Sequence, residues 1–420
     1  MLKTLAAAVS LVALAAPAAA QDTILAGNLI ADTREGAMGP ATIIVNEGRI
    51  VSVTRGLDAP RQGQVYDLTG KTVMPGLIDL HVHLTGDPGG DFWKEAVEPD
   101  GWAVVVGLKN ALTTVKAGFT TVRDTGSAQQ TAFVLRRGVE EGVVTGPRII
   151  ASGPALSIVG GHGDVSGFRP EINHILNTGY TCTGATECAE KVRRASQNGA
   201  DLIKITATGG VLSQQGRGLG AHFTDPELQA IADTAHSLGM KVAAHAHGAR
   251  GIEAAAQAGI DTIEHGTFAD AAALRAMKAT GSYYVPTLTA FKGVSEGLEQ
   301  GIYTPVVAEK IRMTMGEVGK PIRPAMRMGV KIAFGTDAGV FAHGRNAEEF
   351  ALLVEAGMTP KQALVSATET AAEALGMEGQ IGRIASGMSA DLIAVDGDPY
   401  ENVWVLENVG WVMARGAVVE

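Results

Sequence analysis

The sequence has few aromatic residues, few cysteines and no excess of positive charge. Aromatic residues make up 5% of the chain, which offers little of the stacking surface that single-stranded nucleic acids use. The net charge is −10 and becomes −11 without residues 1–20, because Lys3 is the one charged residue there. An acidic balance does not attract nucleic acid or an anionic membrane. We therefore expect a partner that is neither nucleic acid nor membrane.

Hydrophobic residues, in contrast, are plentiful, at 46% of 420 residues against 19% charged. This composition excludes disorder as the main state and predicts a large globular protein of one or two domains. After the first residues, no run is long and apolar enough to span a membrane. Gly is frequent, at 54 residues, which suits tight turns between strands and helices.

Residues 1–20 have the pattern of a secretory signal peptide. Lys3 precedes a small apolar run from Leu5 to Ala16, and Pro17-Ala18-Ala19-Ala20 provides an A-x-A cleavage site. We predict cleavage after Ala20 and export to the periplasm or medium, with retention as an anchor as the alternative. The two cysteines, Cys182 and Cys188, then either form a small loop-closing disulfide or remain free thiols.

Both ends of the chain contain short β-like runs, and each end is too small to bury a core alone. We expect the two ends to pair with each other as small antiparallel strands. The runs are Thr23–Ile30, Ala41–Asn46, Arg49–Thr54 and Val65–Leu68 at one end, and Asp391–Val395, Val403–Leu406 and Gly410–Ala414 at the other.

The long middle region alternates apolar β-branched runs with Ala-rich stretches of helical period, as βα units do. Eight such runs in about 300 residues predict an α/β protein with a (β/α)₈ TIM-like barrel, and an open doubly wound sheet is the alternative. The eight runs are Leu77–His83, Thr120–Arg123, Arg148–Ser152, Leu202–Thr206, Val242–His247, Thr262–His265, Tyr283–Leu288 and Lys331–Gly335. Crossover helices are expected at stretches such as Pro226–Leu238, Gly251–Ala258, Ala271–Thr280 and Val307–Val318.

Potential metal ligands fall near the carboxyl ends of five of these runs. Strand alternation places His81 and His83 on one face of the first run, and His245 and His247 on one face of the fifth. Lys204 lies opposite Ile203 and Ile205, so it points into the barrel if those two pack against helices. A buried lysine needs a partner or a function. The amine either pairs with a carboxylate such as Asp337 or, deprotonated by burial, forms a carbamate with carbon dioxide that bridges two metals.

Together, these motifs resemble the metal-dependent amidohydrolase superfamily. They are Pro75-Gly76-Leu77-Ile78-Asp79-Leu80-His81-Val82-His83, Lys204, His245, His265 and Gly335-Thr336-Asp337. Three motifs are similar to the branch related to imidazolonepropionase and prolidase: Gly199-Ala200-Asp201-Leu202-Ile203-Lys204-Ile205, Gly209-Gly210-Val211 and His245-Ala246-His247-Gly248. The ligand spacing is very like that of the ochratoxin-hydrolysing amidohydrolases. The resemblance covers nearly the whole mature chain. It implies a small β-sandwich domain from residues 21–76 and 379–420, around a barrel of residues 77–378.

The resemblance also implies a binuclear metal centre, usually of zinc. His81, His83 and Asp337 would hold the buried ion, His245 and His265 the outer one, and a carbamate on Lys204 would bridge the two. Asp337 would act as the proton shuttle in hydrolysis. Family members are often homo-oligomers, so we expect one here.

The substrate side of the site is less defined by sequence. His247 lies one step nearer the mouth than His245 and is a candidate to contact substrate and take part in catalysis, or else a structural histidine. His162, on a Gly-rich loop, is a candidate contact for a carbonyl or carboxylate, or else faces water, while Val211 is a candidate apolar wall. His343 and Arg345 either reach a substrate carboxylate or lie in a solvated loop.

We expect hydrolysis of an amide to a C-terminal amino acid, in N-acyl amino acids or Xaa dipeptides, with ochratoxin A as a specific candidate. A cyclic amide hydrolase is the alternative, and a non-enzymatic metal-binding barrel is disfavoured because every expected ligand position is filled.

Overall fold

The computed structural model describes residues 21–61, 63–89, 92–214 and 218–420. The predicted signal peptide lies outside the described residues. The strands are β1 (Asp22–Leu29), β2 (Ala41–Asn46), β3 (Arg49–Arg55), β4 (Val65–Pro75), β5 (Leu77–Val82), β6 (Phe119–Asp124), β7 (Arg148–Ala151), β8 (Ser157–Ile158), β9 (Thr181–Cys182), β10 (Leu202–Thr206), β11 (Lys241–Ala246), β12 (Thr262–His265), β13 (Tyr283–Val285), β14 (Leu392–Val395), β15 (Trp411–Ala414) and β16 (Ala417–Val418).

The α-helices are α1 (Asp100–Lys116), α2 (Thr131–Glu140), α3 (Pro170–Leu176), α4 (Ala185–Gln197), α5 (Asp225–Ser237), α6 (Ala249–Gln257), α7 (Ala271–Thr280), α8 (Leu288–Glu299), α9 (Pro305–Met315), α10 (Ile322–Met328), α11 (Glu348–Glu355), α12 (Pro360–Ser366) and α13 (Glu369–Leu375). Short 3₁₀ helices cover Phe92–Ala96 and Val403–Glu407. Within the described residues, no helix has the length and apolarity needed to cross a membrane.

The two chain ends form one seven-stranded sheet in the order β16-β15-β14-β4-β1-β2-β3. Antiparallel pairing of β4 with β14 joins the ends, as expected, with Ile393 opposite Met74. The expectation of antiparallel strands is wrong for β1 and β4, which run parallel. After the β1-β2-β3 meander, β4 lies on the other edge of β1 and runs in the direction of β1.

The predicted strand over Val403–Leu406 is wrong, since this segment is a 3₁₀ helix. Asn402 caps it by accepting a hydrogen bond from the Trp404 amide at 3.1 Å. Val403 and Leu406 are buried while Trp404 is exposed, a spacing of three that fits a helical turn.

The middle region is a closed parallel barrel, which excludes the open sheet. The sheets β5-β6-β7 and β10-β11-β12-β13 are joined by parallel bridges, Leu156 to Ile205 on one side, and Tyr284 to Ile332 and Val82 to Ala338 on the other. The predicted eighth strand, Lys331–Gly335, has one bridge, at Ile332, and the chain forms the second bridge beyond it, at Ala338. A side chain at Gly335 would lie 2.4 Å from Val285, which shows how closely this backbone approaches its neighbours.

The main core lies between the barrel strands and the surrounding helices. Outward-facing Ile203, Ile205 and Val242 cluster with Leu228 and Ile231 of α5. A capping box of Thr224 and Glu227 starts α5 close to the predicted position. Because Ile203 and Ile205 pack outward, Lys204 points into the barrel.

The fold class, a TIM-like barrel with a strand-rich part built from both chain ends, is thus confirmed. The domain boundaries after residues 76 and 378 stay predictions. Cys182 and Cys188 form a disulfide that joins β9 to the first turn of α4.

Candidate metal-binding active site

Six side chains with ligand chemistry converge at the carboxyl ends of the barrel strands. His81 and His83 come from the end of β5, Lys204 from β10, His245 from β11, His265 from the end of β12, and Asp337 from the segment that closes the barrel. Four of these six side chains, together with His247, form two overlapping groups, in each of which the potential ligand atoms lie within 4.8 Å of one another. The groups are His81, His265 and Asp337, and His245, His247 and His265.

Asp337 is the centre of the first group. Its Oδ1 lies 3.1 Å from His83 Nε2 and 3.4 Å from His81 Nε2, but neither contact has hydrogen-bond geometry, so this buried oxygen lacks a hydrogen-bond partner. A carboxylate oxygen and imidazole nitrogens that face one another at these distances without hydrogen-bond geometry offer ligand atoms to one cation. Imidazole and carboxylate are ligands that suit zinc. These residues therefore fit a divalent metal ion.

Lys204 lies between the groups, with its Nζ 3.3 Å from His81 Nε2. Burial lowers the pKa of Lys204 to about 8, although Glu264 and Asp337 favour its charged form. Among the described residues, Asp337 forms its close contacts with His81 and His83, and the predicted ion pair between Lys204 and Asp337 is not formed. A lysine with a lowered pKa has a larger fraction of the neutral amine, the form that reacts with carbon dioxide.

In the second group, the rings of His245 and His265 are 4.6 Å apart and those of His247 and His265 are 4.9 Å apart. His247 therefore shares with His245 and His265 the arrangement that could hold one metal ion. Burial is the main cause that lowers the pKa of His247 to about 3 and those of His245 and His265 well below the usual value. Neutral imidazole is the form that binds metal.

The rings of His83, His245, His247 and His265 each form a hydrogen bond through the far nitrogen, which is the ring nitrogen that points away from the site. His83 Nδ1 contacts the Gly126 carbonyl at 2.7 Å, and His245 Nε2 contacts the Gly209 carbonyl at 3.3 Å. The other two rings contact threonine hydroxyls. His265 Nδ1 lies 2.7 Å from Thr287 Oγ1, and His247 Nδ1 lies 2.9 Å from Thr267 Oγ1. Such partners fix the ring plane and direct the second nitrogen into the site.

The backbone of the site is strained at three residues. His265, Thr287 and Asp337 have φ of 68°, 53° and 63°, in the left-handed region that disfavours residues with a side chain. The consequence is clearest at His265: Glu264 and His265 are consecutive, so regular alternation would place them on opposite faces. Yet Glu264 bonds to His81 and the His265 ring lies 5.0 Å from the His81 ring.

The candidate substrate residues lie in different environments. His162 is half-buried, with its ring 4.2 Å from that of His245 and its Nδ1 3.1 Å from the Ser213 hydroxyl. Burial and nearby His247 lower its pKa to about 3. Val211 is buried in a cluster with Phe291, and the Phe291 ring is 6.0 Å from that of His247.

The two residues after the barrel-closing segment have other partners. His343 is buried, with contacts to the Thr114 hydroxyl and the His83 carbonyl. Arg345 pairs with Glu296 and Glu348, so its guanidinium is already used in ion pairs. Neither residue is a free cation for a substrate carboxylate.

Sequence reasoning missed the residues that support the ligands. Glu264 and Arg123 are fully buried charges beneath His81, while Asp79 accepts hydrogen bonds from Thr336 and Asn346 next to Asp337. The signal was available, because a charged residue inside a buried strand is as unusual as Lys204.

Comparison with known proteins gives consistent relatives. The Amidohydrolase family model matches residues 72–419. Ochratoxinase from Aspergillus niger is 32% identical over 359 residues, which cover 80% of this chain and 72% of that protein. Imidazolonepropionase from Sphingopyxis alaskensis is 26% identical over 392 residues, covering 88% and 90%. The crystal structure of a Xaa-Pro dipeptidase with methionine bound in the active site matches with a TM-score of 0.86 at 37% identity, covering 95% of this chain and 99% of that one.

Proposed function

The chain belongs to the amidohydrolase family of hydrolases, and on this premise we propose that it cleaves amide bonds to an amino acid with a free carboxylate. The substrate class is N-acyl amino acids or Xaa dipeptides, with ochratoxin A, which would release phenylalanine, as a specific candidate. Two relatives support this class, since one is named ochratoxinase and the other is a dipeptidase that holds an amino acid in its active site.

The observation that carries the proposal is the buried oxygen of Asp337, which lacks a hydrogen-bond partner and faces imidazole nitrogens. His81, His83 and Asp337 would hold a buried divalent ion, probed first as zinc. His245 and His265 would hold a second ion, and a carbamate on Lys204 would bridge the two. When bound, such ions supply an activated water and polarise the scissile carbonyl.

The chain's own residues then complete the reaction. Asp337 is an ionised carboxylate with a free oxygen to accept a proton: burial raises its pKa, but His81 and His83 outweigh burial and lower it to about 2. It accepts a proton from the attacking water as the C–O bond forms and delivers it to the amide nitrogen as the C–N bond breaks. His162 and His247 would orient the substrate carbonyl or carboxylate. The apolar cluster that contains Val211 and Phe291 would contact the substrate side chain.

Export and self-association belong to the same proposal. The protein would be periplasmic or secreted, which the pattern of residues 1–20 and the disulfide between Cys182 and Cys188 both support, because disulfides persist in oxidising compartments. It would act as a homo-oligomer, as members of the family that it resembles often do.

The test is product analysis by mass spectrometry after incubation of the mature, zinc-supplemented protein with an amide panel, with and without chelator. The panel contains N-acyl-phenylalanine, ochratoxin A, Xaa-Pro and Xaa-Leu dipeptides, and imidazolone propionate. Chelator-sensitive release of a free amino acid is expected. Ring opening alone would instead favour a cyclic amide hydrolase, the second candidate, which the match to imidazolonepropionase supports. Turnover of no panel member would contradict the proposed substrate class.

A Lys204→Ala substitution tests the bridging role. We expect the variant to lose bound metal and activity together, measured by elemental analysis and by the amide panel. Lys241→Ala, at an exposed lysine that begins the neighbouring strand β11, is the matched control and should lose neither. Metal content at the level of the unmodified protein in Lys204→Ala would contradict a bridging carbamate.

A further inference from the structure

We propose that Glu264 is a positioning residue that holds His81 in the tautomer protonated at Nδ1, so that Nε2 is directed to the metal. The inference rests on the proposed function for its purpose, but the contact that motivates it is independent of any substrate. Glu264 Oε2 lies 2.9 Å from His81 Nδ1, and both side chains are at most 1% exposed.

The Glu264 carboxylate is itself held in place by an ion pair with a buried arginine. Arg123, on β6, donates from Nη2 to Glu264 Oε1 at 2.8 Å and from Nη1 to the Thr262 hydroxyl at 3.1 Å. The hydroxyl of Thr262 in turn bonds to the same Oε1. Arg123 Nε donates to the Leu80 carbonyl at 2.6 Å, directly before His81 in the chain. The ion pair therefore fixes the carboxylate relative to the strand that carries His81.

The contacts on both sides of the His81 ring agree on one tautomer. A carboxylate only accepts hydrogen bonds, so a proton belongs on Nδ1. At Nε2, the neighbour is Nζ of Lys204 at 3.3 Å, which as an ammonium can only donate. Asp337 Oδ1 lies 3.4 Å from Nε2 but without hydrogen-bond geometry, so it accepts no proton from this nitrogen. The opposite tautomer would place the Nδ1 lone pair against a carboxylate and remove His81 as a ligand.

His81 differs in this respect from the other described histidines of the site. The far nitrogens of His83, His162, His245, His247 and His265 face backbone carbonyls or hydroxyls, whereas that of His81 faces a carboxylate. Charge-assisted hydrogen bonds are stronger than neutral ones, so His81 is the ligand whose tautomer is most firmly fixed.

The test compares Glu264→Gln and Glu264→Asp with Glu349→Gln as control. In Glu264→Gln, a single acceptor oxygen remains for the two donors, His81 and Arg123. In Glu264→Asp, the negative charge that pairs with Arg123 is retained, but the shorter side chain moves the carboxylate away from His81. Glu349 is an equally buried carboxylate that accepts from the Leu288 and Thr289 amides and contacts no histidine of the site.

Zinc affinity is measured by competition with a chromophoric chelator, and the tautomer of His81 by the ¹⁵N chemical shifts of histidine-labelled protein. The His81 signals are identified by their loss in His81→Asn. We expect zinc affinity about 10- to 100-fold weaker in both Glu264 variants and unchanged in Glu349→Gln. We also expect an Nδ1-protonated His81 in the metal-free, unmodified protein.

Unchanged zinc affinity in a folded Glu264 variant would overturn the inference. So would an Nε2-protonated His81 in the unmodified protein, a measurement that needs no variant to fold. Neither readout uses turnover, so the two proposals can fail separately. A protein that shows the expected tautomer and affinities but hydrolyses no amide would contradict the proposed function alone.

Discussion

At the carboxyl ends of the barrel strands, the residues hidden from solvent are histidines, a lysine and carboxylates. In the terminal sheet, the equally hidden residues are aliphatic side chains and methionine, such as Ile24, Ile43 and Met413. Burying polar groups costs free energy unless each is paired, and the site adds left-handed backbone at His265, Thr287 and Asp337. The sheet therefore contributes stability, whereas the site contains buried polar groups and strained backbone that cost stability and that the proposed metal binding would explain.

The most severe way to test this difference is Asp337→Asn. The amide is nearly the same size, so the fold should remain, but the proton acceptor is lost and kcat/KM should fall about 100- to 10,000-fold. The measurement is amide turnover with thermal melting, and Asp396→Asn at an exposed carboxylate is the control. Turnover close to that of the unmodified protein, with normal metal content, would remove Asp337 from the mechanism.

The sheet is tested by a pair of neighbouring residues on β3. Ile50 is buried and Val51 is exposed on the opposite face. Ile50→Ala should lower the free energy of unfolding by about 2–5 kcal/mol while kcat stays unchanged. Val51→Ala should change it by less than about 0.5 kcal/mol. Denaturant unfolding measures both, and equal effects would show that this face of the sheet does not carry the stability.

The smallest expected effect concerns a buried cation beside the site. Lys310 of α9 donates to the Gly210 carbonyl at 2.9 Å and to the Ser213 carbonyl, and burial lowers its pKa from 10.5 to about 8. Between pH 8 and 10.5 the unfolded chain then binds more protons than the folded chain. The free energy of unfolding should rise with pH across that window.

Lys310→Met should remove this part of the pH dependence. Unfolding by denaturant at pH 8 and pH 10 measures it, with Lys320→Met at an exposed lysine as the control. An identical pH slope in the unmodified protein and in Lys310→Met would show that burial does not shift this group.

Much of the fold was readable because periodicity reports burial directly. The runs Leu202–Thr206 and Thr262–His265 became strands with the predicted bounds, since their β-branched Ile203, Ile205 and Ile263 are buried in the main core. The strand predicted over Val403–Leu406 was wrong, because a run of four apolar residues fits either a strand or a helical turn. The Asn402 cap favours the helical turn.

The positions of the candidate ligands were also readable, since each lies near the end of a predicted strand and such ends meet at one face of a barrel. A charge inside a strand marked Glu264 as unusual, but its role was not readable, because that role depends on a contact with His81, 183 residues away in the sequence.

By itself, the sequence determined the type of fold and the identity of the residues that meet at its catalytic end, because strand period and chain spacing are local properties. Only the tertiary structure decided which way those residues point. The left-handed backbone of His265 turns its ring toward the ring of His81 against strand alternation, and single bridges hold the segment where an eighth strand was expected. Both features involve contacts between distant segments, which leave no periodic signal in the sequence.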